Sequence, residues 1–196
     1  MKQARLWLAG GLCLVIIGLI LGATPFLQYW RGAHNKVTHS PFTSVVHANP
    51  ATTEHVAPQV AGKPVRIQIP SLRLDLPVID GYYNQQSKTW TLTKDKVQYA
   101  TITPESNTQE GNTFLYGHNR PGVFATLHNV QPGAEVIITT ANGHTFTYKY
   151  RSAYETNPND DSLFHYQGAP ILTVQTCSGI WYQNRQLFVF DLVSAT

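Results

Sequence analysis

Short segments in which apolar and polar residues alternate recur through the C-terminal two thirds of the chain, and they restrict the fold more than any other feature. Residues 65–70 and 71–76 alternate with a period of two, as strands do when they bury one face. Residues 135–140 and 144–150 flank Asn142-Gly143, a pair that strongly favours a tight turn with positive φ. The pattern therefore predicts β structure with at least one tight hairpin.

Further strand candidates have the same short length. They are residues 90–93, 112–116, 171–176 and 186–193, and the last is nearly all apolar, which indicates a central strand. Twelve prolines and fourteen glycines supply the turns that such a fold needs. No helical period is visible beyond an N-terminal apolar run, so the sequence predicts one all-β domain, either a barrel or a sandwich.

The N-terminal apolar run is predicted to be a membrane anchor. Residues 6–23 carry no charge and are long enough to cross a bilayer as a helix. Trp7 at one end, and Tyr29 with Trp30 at the other, match the aromatic residues found at membrane interfaces. A cleaved signal peptide is the alternative, but its apolar core would be unusually long and no Ala-x-Ala site follows. Residues 1–30 are therefore predicted to form a cytoplasmic stub and a transmembrane helix.

The segment after the anchor is predicted to be an extracellular linker. Residues 31–63 are polar and irregular, with scattered proline, serine and threonine. Four of the eight histidines lie there without the spacing of a metal site, which favours solvated side chains. Residues 64–196 then form the extracellular domain, because a large C-terminal domain can be translocated regardless of nearby charge.

The charge distribution gives no indication of a nucleic-acid partner. The net charge is only +3 at pH 7, and lysine and arginine form no stripe along the sequence. No nucleic-acid-binding motif is visible, so this class of function is set aside.

Cys177 is the residue of the domain that most needs a functional explanation. Exported cysteines usually pair, but the only other cysteine, Cys13, lies in the apolar run, where it is expected to face lipid or a helix. His118 follows one strand candidate and Arg185 precedes another. A histidine can hold the proton of a thiol, and an arginine can stabilise a developing oxyanion. These three side chains are therefore candidates for thiol-based acyl transfer.

The placement of the three candidates suggests that they meet at one rim of the domain. Cys177 ends one strand candidate and Arg185 begins the next, so antiparallel pairing would bring them together, and His118 leaves a third strand end. Each also has a plain structural explanation. Cys177 fits a small core residue, His118 fits a loop, and Arg185 could pair with Asp191 or Asp161. Their combination and order favour catalysis.

At these residues the domain resembles the sortases, membrane-anchored cysteine transpeptidases of Gram-positive-type cell surfaces. The resemblance extends over residues 65–193 and rests on VRIQIPSLRLDLPVIDG, GNTFLYGHN, TVQTC and the downstream Arg185. It implies a closed β-barrel of about eight strands with short helices and turns. It also implies catalytic roles for His118, Cys177 and Arg185. Val174 stands where many sortases have leucine.

The same resemblance implies a reaction and its partners. A sorting signal of the Leu-Pro-x-Thr-Gly type would be cleaved between Thr and Gly. The acyl-enzyme would then be passed to an amine of a cell-wall precursor or, in a pilin-polymerising enzyme, of a pilin lysine. Surface proteins with sorting signals, an amine acceptor and the cell membrane are thus the expected partners. No cofactor is expected. Some sortases bind calcium in the region of Glu155, Asp160 and Asp161, but the spacing is not that of a dedicated calcium loop, and a solvated acidic loop is favoured.

Substrate contacts are predicted for four neighbours of the catalytic candidates. Asn119 is a candidate to orient His118 or the substrate, and Thr176 to line the groove, with a structural role as an equal alternative for each. Trp181 and Tyr182 are candidates to wall the groove, although exposed aromatic residues also occur without function. The remaining histidines of the domain have no partners in the sequence and are predicted to be surface residues: His128, His144 and His165.

Other functions fit parts of the pattern. An L,D-transpeptidase also uses extracytoplasmic cysteine, histidine and arginine, but in a His-Gly-Cys-x-Arg-like cluster that this sequence lacks. Papain-like peptidases place the cysteine before the histidine, the reverse of the order here. A membrane-anchored β-domain that binds surface ligands, with Cys177 buried and inert, is the non-catalytic alternative.

Overall fold

The computed structural model describes residues 59–84, 86–87 and 89–196. The predicted anchor, residues 1–30, and most of the predicted linker lie outside the described residues. Within the described ranges, no helix has both the length and the apolar character needed to cross a bilayer.

The described residues form β-strands connected by loops and short helices. In chain order the strands are β1 (Ala61–Gly62), β2 (Pro64–Ile69), β3 (Leu74–Gly81), β4 (Tyr83–Asn84), β5 (Thr89–Trp90), β6 (Val97–Ala100), β7 (Ser106–Asn107), β8 (Asn112–Tyr116), β9 (Glu135–Thr140), β10 (Thr145–Thr156), β11 (Ile171–Ser178) and β12 (Asn184–Ala195). The helices of this part of the chain are 3₁₀ turns at Pro70–Leu72, Leu127–Asn129 and Ser162–His165.

Eight of the strands close into a barrel. Their order is β10-β12-β11-β8-β6-β3-β2-β9, and β9 pairs with β10 to complete the ring. Two neighbouring pairs are parallel, β3 with β6 and β8 with β11, and the others are antiparallel. The predicted all-β class and the eight-stranded barrel are confirmed, and the sandwich alternative is excluded.

The predicted hairpin is confirmed as β9 and β10. Gly143 has a φ of +86°, a conformation that glycine adopts without steric cost. The backbone N–H of Thr140 donates to the carbonyl of His144 at 2.9 Å and closes the turn. β10 continues to Thr156, beyond the predicted end, because its second edge pairs with β12.

The second predicted strand starts later than the alternation suggests. Pro70–Leu72 form a 3₁₀ helix, and β3 begins at Leu74. Arg73 lies between them with a φ of 52°, and its N–H donates to the Pro70 carbonyl at 3.0 Å. Proline fixes its own φ and has no N–H for a ladder, so the chain turns at this point.

The barrel wall separates two apolar clusters. The inner cluster fills the barrel and includes Leu172 and Val174 of β11. The outer cluster lies against the other side of the wall and includes Ile171 of β11 and Leu187 of β12. Successive side chains of a strand point to opposite faces, so the odd-numbered residues of β11 face outwards. Cys177 therefore lies on the outer face.

Aromatic residues cover the outer cluster. The ring of Trp90 lies 5.2 Å from that of Tyr116 and 5.4 Å from that of Phe164, measured between centroids. Gly81 makes room for this packing, since a Cβ there would lie 2.2 Å from Tyr116 Oη. Together these residues build a wall beside the strands that lead to Cys177.

Candidate active site

The ends of two parallel strands bring His118 to the strand that carries Cys177. Tyr116, the last residue of β8, is the register partner of Gln175 on β11. The backbone N–H of Gly117 then donates to the Gln175 carbonyl at 3.1 Å, which extends the pairing by one step. Because parallel strands run in the same direction, the residues after both strands emerge at one edge of the barrel.

Two side-chain hydrogen bonds fix the residues on either side of His118. Thr176 Oγ1 donates to the Gly117 carbonyl at 3.0 Å. Asn119 Nδ2 donates to the Cys177 carbonyl at 2.8 Å. His118 is therefore held between two residues that are both bonded to the end of β11.

The glycine before His118 lies in a close approach to the following loop. A Cβ on Gly117 would lie 3.0 Å from the Phe124 ring and from Val123 Cγ1, which is tighter than ordinary contact. The backbone N–H of Phe124 donates to the His118 carbonyl at 3.1 Å. The loop after β8 thus folds back onto the strand end, and a Cβ on Gly117 would require Phe124 and Val123 to move by a few tenths of an ångström.

Arg185 lies directly opposite Cys177. The two residues are Cα partners in the antiparallel pairing of β11 with β12, so their side chains share the outer face. Arg185 Nη1 donates to the carbonyl of Tyr182 at 3.1 Å and to that of Asn184 at 3.0 Å. The antiparallel pairing expected from the sequence is therefore present, and the loop carbonyls hold the guanidinium.

The charge of Arg185 is not neutralised by an ion pair within the described residues. Asp191, one of the partners considered from the sequence, pairs with Arg151 through Arg151 Nε at 2.9 Å. Asp161, the other, lies 3.8 Å from His165 Nε2. The guanidinium charge is thus available to the thiol that it faces.

Burial controls the protonation of both reactive candidates. It raises the pKa of the Cys177 thiol, and the positive charge of Arg185 opposes this effect without overcoming it. Burial lowers the pKa of His118, and the charge of Arg120 lowers it further. Near neutral pH the free site therefore holds a protonated thiol and a neutral imidazole.

A groove of about 610 Å³ opens at Cys177. Its volume falls in the range of sites that bury a small ligand or a short peptide. Strand residues line it together with the aromatic residues of the outer cluster and the segment before β11. The lining includes Trp90, Leu92, Ile102, Tyr116, Asp160, Asp161, Gln175, Cys177 and Arg185. The groove thus combines an apolar lining with the thiol and the guanidinium.

A much smaller cavity of about 10 Å³ lies at the barrel end and is lined by Cys177 as well as by Asn119, Thr176 and His128, among others. Thr176 is only 5% exposed and follows the inward alternation of β11. Asn119 and Thr176 therefore line this cavity and not the groove, and His118 lines neither. Their predicted contacts with substrate remain predictions.

Trp181 and Tyr182 lie in the loop between β11 and β12, and neither lines the groove. Trp181 is 83% exposed. Tyr182 has a φ of 57°, unusual for a residue other than glycine, and its carbonyl accepts the hydrogen bond from Arg185. A role of either residue in substrate binding likewise remains a prediction.

The structure also reveals site residues that the sequence analysis did not single out. Gln175 lines the groove two positions before Cys177, and strand alternation was the signal that could have found it. His128, predicted to be a surface residue, is half-buried beside the small cavity. The reason is its neighbour Leu127, which is fully buried and draws the short helix onto the barrel end.

The acidic residues near the groove do not converge on a metal site. Asp160 accepts hydrogen bonds from Thr156 Oγ1 and from the Ser162 N–H, and Glu155 accepts one from Asn184 Nδ2 at 2.8 Å. No group of three or more His, Cys, Asp or Glu residues in the described ranges could hold a metal ion. These residues do not fit a calcium site, so no chemical step is assigned to calcium, and independence from cofactors stays a prediction.

Comparison with known proteins points to one family. The family model for the sortase domain matches residues 67–192. Among solved structures, the chain is similar to sortase C1 from Streptococcus suis, with 20% identity, a TM-score of 0.53, and coverage of 68% of this chain and 74% of that one. It is also similar to the SrtA sortase from Actinomyces oris, with 17% identity, a TM-score of 0.55, and coverage of 75% and 87%. A third similar structure is the sortase D5 transpeptidase from Clostridium perfringens, with 19% identity, a TM-score of 0.53, and coverage of 67% and 79%. At these identities the structural likeness shows the fold alone, and a comparison with curated proteins gives no match.

Proposed function

The chain belongs to the sortase family of cysteine transpeptidases, and from this premise we propose that it joins surface proteins to an amine outside the cytoplasm. In this proposal it cleaves a sorting signal of the Leu-Pro-x-Thr-Gly type between Thr and Gly. The acyl group then passes to the amine of a cell-wall precursor. Residues 1–30 anchor the protein in the cell membrane by a single span with a cytoplasmic N-terminus, and the barrel faces the exterior.

One observation carries the proposal. Both neighbours of His118 are hydrogen-bonded to the end of β11, and Arg185 faces Cys177 across the next strand pair. A proton acceptor, a nucleophile and a fixed positive charge thus belong to one rigid edge of the barrel. Catalytic groups gain most when a scaffold holds them in place before the substrate arrives.

The first half of the reaction forms a thioester. The sulfur of Cys177 attacks the carbonyl carbon of the scissile bond while the neutral imidazole of His118 accepts the thiol proton. The carbonyl oxygen becomes an oxyanion, which the charge of Arg185 stabilises; one such contribution is worth about 3 kcal/mol of barrier. When the oxyanion collapses, the C–N bond breaks and the imidazolium gives its proton to the departing amine.

The second half reverses these roles. An amine attacks the thioester carbonyl and loses a proton to His118 as a second oxyanion forms. Collapse of this intermediate breaks the C–S bond, and the sulfur recovers a proton from the imidazolium. A new amide leaves, and the thiol and neutral imidazole are restored.

Trapping the thioester tests the proposal. A Leu-Pro-x-Thr-Gly peptide is expected to leave its acyl part on Cys177, detectable by mass spectrometry of the intact protein, and Cys177→Ala is expected to abolish this adduct. His118→Ala and Arg185→Ala are expected to reduce turnover by about a hundredfold or more while circular dichroism shows an unchanged fold. Full activity in any of these three variants would contradict the assigned roles.

A non-catalytic binding module is the second candidate, because burial raises the pKa of Cys177 as it would for an inert thiol. Thiol labelling across a pH series separates the two functions. In a transpeptidase, a sorting peptide acylates Cys177 and thereby protects the thiol from the label. In a binding module, the peptide forms no thioester with Cys177. A peptide library with candidate amines would separate wall anchoring from pilin polymerisation.

A further inference from the structure

Gln175 is a polar residue that lines the groove close to Cys177. It lies on the outer face of β11, two residues before Cys177, with Tyr116 of β8 as its partner on one side and Leu187 of β12 on the other. Its side chain lines the groove and is half-buried. Two residues along a strand correspond to about 6.6 Å, so its amide lies within a short distance of the thiol.

The groups around Gln175 leave its amide without a protein partner. Tyr116 Oη donates to the Thr91 carbonyl at 2.9 Å, and Leu187 offers only an apolar surface. Arg185, at the next outward position of the wall, bonds the loop carbonyls. Within the described residues, the side-chain amide of Gln175 makes no hydrogen bond. A polar group of this kind binds either water or a ligand, and an apolar ligand placed over it would leave it unsatisfied.

The groove must hold the acyl portion of the substrate, which stays attached to the enzyme during the reaction. In acyl transfer the acyl portion stays on the sulfur through both half-reactions, whereas the departing amine is replaced by the acceptor. The groove contains both Cys177 and Gln175, and an acyl peptide that runs back along β11 from the thioester carbonyl passes over Gln175. In a Leu-Pro-x-Thr-Gly signal the thioester forms at the threonine, and the variable residue x precedes that threonine by one position. Residue x of such a peptide therefore falls within reach of the Gln175 amide.

We propose that Gln175 is a specificity-determining residue that selects sorting peptides with an amide or hydroxyl side chain at position x. This inference rests on the proposed transpeptidase function. The Gln175 amide offers two donors and an acceptor, so it can pair with asparagine, glutamine, serine or threonine. A site built for such a bond discriminates against the isosteric apolar residue because its own polar group is then buried unpaired.

Isosteric peptide pairs test the proposal. Peptides that differ only by threonine against valine, or asparagine against leucine, at x are compared by kcat/KM for thioester formation on the full-length protein. The polar member of each pair is expected to react about tenfold faster with the wild type, as one half-buried hydrogen bond would give. In Gln175→Met, which keeps the length of the side chain, this ratio is expected to fall to about one or to invert. Gln109→Leu, at an exposed position outside the groove, is expected to keep the wild-type ratio.

The outcomes separate this inference from the function on which it rests. If the wild type forms a thioester but shows the same preference at x as Gln175→Met, Gln175 does not determine specificity and the transpeptidase function stands. If no peptide of the series acylates Cys177, both the function and the inference are overturned. A change in the ratio that also appears in Gln109→Leu would likewise refute the role of Gln175.

Discussion

Arg120 is the residue outside the proposed triad with a direct electrostatic effect on it. It is exposed, and its charge lowers the pKa of His118 in the same direction as burial, which is the larger cause. Free histidine titrates near pH 6.5, so in this site the imidazole stays neutral to lower pH. A neutral imidazole can accept the thiol proton, which makes the site competent on the acidic side of neutrality.

Arg120→Gln is therefore expected to narrow the pH range of activity. The kcat/KM for acylation should be bell-shaped: it falls at low pH as His118 becomes protonated and cannot accept the thiol proton. It falls at high pH because the thiol and the imidazole are both deprotonated, which leaves no proton for the departing amine. Removing the Arg120 charge raises the pKa of His118, so the acidic limb should move to higher pH while the alkaline limb stays in place. Arg73→Gln, at a distant turn, serves as the control, and an acidic limb that Arg120→Gln does not move would contradict this electrostatic role.

At the scale of elements, the loop after β8 is positioned by the strand beside it. The buried hydroxyl of Thr176 donates to the Gly117 carbonyl from the inner side of the barrel. Asn119 donates from the loop to the carbonyl of Cys177. The ring of His118 makes no hydrogen bond within the described residues, so its position depends on these two neighbours and on its own carbonyl, which accepts from the N–H groups of Arg120 and Phe124. The turnover of the site should therefore depend on bonds that never touch the substrate.

Thr176→Val tests this dependence, because valine keeps the shape of threonine and removes the hydroxyl. We expect kcat to fall about tenfold with little change in KM, since a loosened His118 affects proton transfer more than peptide binding. The free energy of unfolding should fall by about 1 kcal/mol, as for one buried hydrogen bond. Thr101→Val is a matched control, because Thr101 Oγ1 donates to the Gly81 carbonyl at the same 3.0 Å. A similar loss of kcat in both variants would show a general effect of stability instead of positioning.

The elements encoded by neighbouring residues were predictable, and those that depend on distant pairing were not. Asn142-Gly143 specifies a hairpin within a few residues, so β9 and β10 followed from the sequence alone. The parallel pairing of β8 with β11 joins segments separated by 59 residues in register, Ile171 with Asn112, and alternation contains no information about such partners. Alternation does place Thr176 on the opposite side of the strand from Cys177, and it does place Gln175 on the same side. The groove that Gln175 lines is built in part by Trp90 and Phe164, and no local pattern in the sequence specifies the contact between these two rings.

At the scale of the whole molecule, one barrel wall serves two purposes. Its inner face packs the cluster that closes the barrel, and its outer face supports the groove beside Cys177. β12 contributes Phe188 and Phe190 to the inner cluster and Leu187 and Val189 to the outer cluster, and this burial on both faces explains why it is nearly all apolar. Stability and substrate binding should therefore separate according to the face on which a residue lies.

Two leucines of this wall allow a matched test of that separation. Leu172 faces the inner cluster at 0% exposure, and Leu187 lies in the outer cluster at 3%, together with Tyr116 and beside Gln175. Each leucine-to-alanine change should lower the free energy of unfolding by about 2–5 kcal/mol, measured by urea denaturation, because each removes a fully packed side chain. Only Leu187→Ala should also raise KM for the sorting peptide, since the cavity that it leaves lies under the groove and lets Tyr116 and Gln175 shift. Leu172→Ala should keep the wild-type KM at temperatures where it is folded, because the inner cluster does not contact the groove. If the two variants raise KM equally, the wall transmits packing changes from one face to the other, and the two faces are not independent.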